Sequence, residues 1–140
     1  MSFKELTEDR KAFFKERLSK NPELAPLREK LLEIGGLEIV PRFEEDLQKL
    51  LERGVSWGNK VKMTRGYKSQ CHSNSAMLYT KNPIRYSIVV GWGLSDDGLW
   101  RQHTWIMDGD IIRESTEKRL AYFGTELNEE ECAEFVFNNP

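Results

Sequence analysis

Two runs joined by one turn constrain this chain most. Arg85-Tyr86-Ser87-Ile88-Val89-Val90-Gly91-Trp92-Gly93 is rich in β-branched and aromatic residues and reads as a strand buried on both faces. Ser95-Asp96-Asp97-Gly98 is a strong turn, and Leu99 to Met107 is the return strand. Asp108-Gly109 makes a second turn, and Asp110 to Ser115 a third, shorter strand. Together they predict an antiparallel meander.

Helices surround this meander. Residues 7–19 read as amphipathic, with Thr7 as cap and Phe13, Phe14 and Leu18 as the apolar stripe. Leu24, Leu27, Leu31, Leu32 and Ile34 recur at helical spacing up to the Gly35-Gly36 pair. Pro41 fits the first turn of a third helix, with Phe43, Leu47, Leu50 and Leu51 on one face and Gly54 after it. This part reads as a helical cap or partner-binding arm. Residues 55–66 read as a loop with one short strand. Thr116 caps a short helix through Tyr122, and Asn128 with Glu131 resembles a capping box for a last helix that turns Cys132, Phe135 and Val136 inward. The expected fold class is α+β: N-terminal helices, a cysteine-bearing helix packed on a small meander, and a C-terminal helix. One domain spans residues 1–140, its first 54 residues helical and residues 55–140 its core.

Charge narrows the partners. Twenty-one basic against 23 acidic residues give a net charge of −2, with bases and acids interspersed, so nucleic acid is disfavoured. No apolar run reaches membrane-spanning length, and no secretory leader opens the chain. Two cysteines make no disulfide framework. The expectation is a cytoplasmic protein with free thiols.

One of those thiols stands in a telling place. In Ser69-Gln70-Cys71-His72-Ser73-Asn74-Ser75-Ala76-Met77-Leu78-Tyr79, Ser69 suits a helix N-cap, and Cys71 then falls in the first turn. The positive end of a helix favours a thiolate, and its free N–H groups suit a developing oxyanion. The simpler alternative is a half-buried structural thiol. A nucleophile needs a base. Alternation on the return strand puts Leu99, Arg101, His103 and Trp105 on one face, so His103 projects from a rigid element. Ile112 and Glu114 share a face on the next strand, which brings Glu114 near His103, with register left open. A carboxylate there would hold the imidazole tautomer. Asp108 or Asp110 would replace Glu114 in another register. Trp57, Asn59, Gln70 and Trp105 are candidates for lining a cleft, with Asn59 or Gln70 assisting an oxyanion. No cofactor is expected. A zinc site from Cys71, His72, His103 and Cys132 lacks chelating spacing.

Cys71 at a helix start, the strand ending Val90-Gly91-Trp92, His103-Thr104-Trp105 and Glu114-Ser115-Thr116 resemble the transglutaminase-like branch of the papain-like cysteine enzymes. The resemblance covers the C-terminal half. It implies a papain-like core with Cys71 as nucleophile, His103 as base and Glu114 at the position usually held by aspartate. It also implies acyl transfer on a peptide, protein or small amide, as hydrolase, deamidase or transglutaminase-like enzyme. The chain departs from the family in that glutamate, in the short His-to-acid spacing and in His72 after the cysteine. The alternative is a non-catalytic binding module of the same fold, in which Trp57, Trp92, Trp100 and Trp105 pack or grip a ligand.

Overall fold

The sheet grows outward from the predicted hairpin. The computed structural model describes residues 3–58 and 60–140. Strands β4 (Tyr86–Leu94) and β5 (Leu99–Asp108) pair antiparallel along their whole length. Gly98 closes their turn at φ 87°, a left-handed backbone that glycine adopts without strain. β6 (Ile111–Glu114) returns along the far edge of β5, and β7 (Ala121–Glu126) along the free edge of β4. The outer positions go to β2 (Val55–Trp57), antiparallel on β7, and β3 (Lys60–Met63), parallel on β6. A two-residue β1 (Glu38–Ile39) lies parallel to the start of β5.

The outer edge of β5 holds the feature that matters for the site. β6 pairs with residues 106–108 and β1 with residues 99–100. Among the described residues, the stretch between them has no strand partner on that side. Helix α4 (Cys71–Lys81) packs on β5 and β4 and brings its first turn to this gap.

Three apolar clusters hold the layers together. Leu24, Leu27 and Leu31 of the N-terminal segment join Ile39, Leu50, Trp92, Leu94, Trp100 and Phe123. The helices concerned are α2 (Ala25–Ile34) and α3 (Leu47–Arg53), which follow α1 (Glu8–Ser19). Tyr79 of α4, and Cys132 of α5 (Glu129–Asn138), pack with Ile88, Val90, Ile106 and Leu127. On the opposite sheet face lie Val89, Trp105, Met107, Ile112 and Tyr122, with Trp57 and Val61 against them. Each fully buried large apolar side chain contributes about 1.5–3 kcal/mol relative to exposure.

The α+β class stands, with corrections. The meander is part of a seven-stranded mixed sheet. The first third is not a separate arm, since its leucines share a core with Trp92 and Trp100. α3 begins at Leu47 rather than Pro41, because the chain first runs extended against β5. Phe43 is therefore exposed. Residues 55–66 contain two strands. The helix expected over 116–122 is absent; β7 begins at Ala121, claimed by the open edge of β4. The caps at Thr7 and Asn128 are present, the latter as a full capping box. No helix is long and apolar enough to cross a membrane.

Candidate active site

The gap in β5 brings Cys71, His103 and Glu114 together from three elements. His103 is 1% exposed and Glu114 fully buried. The His103 Nε2 lies 2.7 Å from Oε1 of Glu114. Three further donors surround the same carboxylate. Tyr122 donates its hydroxyl to Oε1 at 2.9 Å, and the Thr116 N–H and hydroxyl reach Oε2 at 3.1 and 3.2 Å. Tyr122 in turn accepts the Arg119 N–H at 3.0 Å.

This cage fixes the histidine's chemistry. Burial alone would raise the Glu114 pKa, but the hydrogen bond and charge of His103, with Thr116 and Tyr122, hold it below the ordinary carboxylate value. An ionised carboxylate only accepts, so Nε2 carries a proton. In the neutral imidazole the lone pair is then on Nδ1. That atom is buried without a partner in hydrogen-bond geometry.

The Cys71 thiol interacts with the His103 ring. Burial pushes its pKa up, but hydrogen bonding and charge from His103, with the Thr104 backbone, bring it below the usual thiol value. Burial pulls His103 down, while Cys71 and Glu114 raise it further than burial lowers it. Both shifts favour a thiolate beside an imidazolium.

The surroundings hold each member in place. Trp105 lies under the imidazole, ring centroids 5.8 Å apart and planes 29° apart, and meets Tyr122 edge-on at 4.9 Å. The His72 Nδ1 lies 2.5 Å from the Thr104 hydroxyl. Burial first, then the charges of His103 and Arg42, depress the His72 pKa. Asn74 clamps the loop before the helix, accepting from the Tyr67 N–H at 2.9 Å and donating to its carbonyl at 2.7 Å. A Cβ on Gly66 would come within 2.6 Å of that amide.

Several expected roles change. Gln70, not Ser69, precedes the helix, and its side chain makes no capping bond; Ser69 takes φ 59° in the left-handed region. Gln70 is exposed beside Cys71. Trp105 is fully buried and supports His103 rather than lining a cleft. Trp57 plugs the core and donates its indole N–H to the Gly124 carbonyl at 3.0 Å. Asn59 lies outside the described residues. Asp108 is taken up by Arg85 and Arg113, and Asp110 is exposed in the turn, so neither competes with Glu114. Trp92 and Trp100 are fully buried, which removes them as ligand grips. Cys132 packs with Tyr79, Ile88, Val90, Ile106 and Leu127, and among the described residues no group of His, Cys, Asp and Glu is placed to hold a metal ion.

Tyr122, Thr116, Thr104 and Asn74 escaped the sequence reading. Tyr122 was hidden by the expected helix. Thr116, two residues after Glu114, was the available signal, since a hydroxyl at that spacing can turn back on a carboxylate. Nothing local marks Asn74, whose partner Tyr67 is seven residues away.

No family model matches the chain, and no curated protein or solved structure matches it significantly.

Proposed function

We propose that the protein is a thiol-dependent acyl-transfer enzyme with a papain-like core, in which Cys71 is the nucleophile, His103 the base and Glu114 the orienting acid. One observation carries this reading. The donors around Glu114 keep a proton on Nε2 of His103, whose ring interacts with the Cys71 thiol while Nδ1 has no other partner.

In the proposed reaction the Cys71 thiolate, its proton already held on Nδ1 of His103, attacks the carbonyl carbon of an amide or ester. The N–H groups of the first turn of α4 lack intrahelical acceptors and stabilise the tetrahedral oxyanion. Collapse of this intermediate breaks the bond to the leaving amine or alcohol, which receives the proton from Nδ1. A thioester remains. Water then attacks it, giving its proton to Nδ1, and the acid is released as the thiolate and imidazolium are restored. An amine in place of water would complete a transfer.

The test begins with a chromogenic ester. p-Nitrophenyl acetate should give a burst of p-nitrophenolate equivalent to the protein concentration, and Cys71→Ala should abolish it while leaving the circular dichroism spectrum unchanged. A burst of equal size in Cys71→Ala ends the assignment.

A further inference from the structure

Residues 54–95 carry six of the chain's 21 basic residues and none of its 23 acidic ones. Charge is interspersed along the chain except here. The stretch includes a cavity of about 370 Å³ between the loop that follows β3 and one face of α4. We propose that this cavity docks an acidic peptide segment of a partner protein, with a carboxylate against Arg65 and Lys81 and an apolar side chain on Met77 and Leu78.

The helix side of the cavity is periodic. Asn74, Met77, Leu78 and Lys81 stand at i, i+3, i+4 and i+7, so they share one face of α4 that begins a turn after Cys71. Arg65 and Tyr67 belong to the loop wall. Asn74 is buried and holds both backbone groups of Tyr67, which fixes the loop against the helix. The site is thus formed before anything binds.

Its charge has no internal answer. No acid lines the cavity. Among the described residues neither Arg65 nor Lys81 forms an ion pair, whereas five other arginines each hold a carboxylate. Lys62 and Lys68 precede and follow Arg65, both exposed. Asp108 is taken up by Arg85 and Arg113. Asp110 is the opposing charge; it precedes β6, whose first residue pairs with Lys60, so it stands at the end of β3 away from the cavity.

These cations outnumber a single ligand carboxylate, and several carboxylates along one chain match them. The walls add an apolar requirement. Tyr67 is 64% exposed and Met77 49% exposed, and both gain by being covered. An extended peptide turns residues i and i+2 to the same side, so an acid and an apolar residue two places apart reach both parts of the cavity. A nucleic acid would instead need a run of cations tracking its phosphates, and Met77 and Leu78 offer a phosphate nothing.

The probe is the peptide acetyl-Asp-Glu-Ser-Leu-Glu-Asp-amide, with binding followed by NMR titration. One control replaces its acids by their amides, and another replaces leucine by serine. The acidic peptide should bind about tenfold or more tightly than the amide control, and more tightly than the serine control, with its shifts centred on Tyr67, Met77 and Leu78. Arg65→Gln combined with Lys81→Gln should remove the preference for acids. Met77→Ser should reduce the preference for leucine, and Lys30→Gln, exposed on α2, should change neither. Equal binding of the acidic and amide peptides overturns the proposal, as does a preference that survives the paired substitution. Equal binding of the leucine and serine peptides overturns it too, by reducing the face to a plain polyanion surface. A single-stranded oligothymidylate that displaces the peptide and binds more tightly reassigns the face to nucleic acid. None of these readouts involves the Cys71 thiol, so this site and the acyl-transfer reading stand or fall separately.

Discussion

Cys71 and Cys132 are both free thiols on helices that pack against the same sheet, yet their surroundings drive them apart. Cys71 opens α4; Cys132 is the fourth residue of α5, 1% exposed, with its sulfur 3.6 Å from the Leu127 carbonyl. Burial is the largest influence on each, and in both it favours the neutral thiol. At Cys132 burial prevails and the pKa rises, with Glu131 and Glu126 adding to it. At Cys71 the His103 imidazole reverses the sign. Helix position and burial therefore do not decide the sign of the shift. The neighbouring His103, itself held by Glu114, lowers the Cys71 pKa.

Glu114→Gln should break the contrast most severely. It removes a buried anion and should destabilise the fold by about 3 kcal/mol, read as a shift in urea midpoint. The loss depends on pH. The raised His103 pKa stabilises the folded state fully below about pH 6.5, its unfolded value, and the gain fades as pH rises through the folded value. The lowered Glu114 pKa stabilises above about pH 4.3 and fades as pH falls through its folded value. The gap between parent and variant should be widest between these limits. A gap independent of pH would mean the pair is not ionised.

His103→Ala should leave Cys71 resembling Cys132. Its iodoacetamide labelling at pH 6 should slow on the order of tenfold to a hundredfold, with Cys132 unchanged. Mass spectrometry of the labelled peptides separates the two thiols. Equal slowing of both would point to a general change in structure instead.

The smallest effect should come from the other thiol's helix. Asn128 caps α5, accepting from the Glu131 N–H at 2.8 Å, and Glu131 is held near a pKa of about 2 by Arg53 first, then by Asn128 and Lys49. Asn128→Ala should cost about 1 kcal/mol. It should speed labelling of Cys132 by fraying its helix and leave Cys71 untouched.

The legible parts of this molecule were the local ones. The capping box needs only residues 128–131, and the β4–β5 hairpin only its two runs and the turn between them. The order Cys71, His103, Glu114 could be read along the chain, and the structure brings those side chains together. What could not be read depended on distant partners. Ala121 to Glu126 becomes a strand because β4 offers an edge, and Glu38 and Ile39 because β5 offers another. Ser69 looks like a cap by composition, but Asn74 draws the loop into a shape in which Ser69 turns left-handed. The four donors on Glu114 come from residues 103, 116 and 122, and no spacing rule announces that cage.

β3 occupies an outside position in the sheet and, among the described residues, is joined only to β6. Its last residue, Met63, pairs with Glu114, and the next N–H, that of Thr64, donates to the Glu114 carbonyl at 2.7 Å. The same strand runs directly into the loop that delivers Cys71. Glu114 and Cys71 thus hang from one peripheral latch, while His103 sits at the centre of the sheet. Peripheral pairings open at lower free energy than central ones. Unzipping β3 would withdraw Cys71 and Glu114 in a single motion and leave His103 where it was, so the proposed site would be either whole or missing two parts at once.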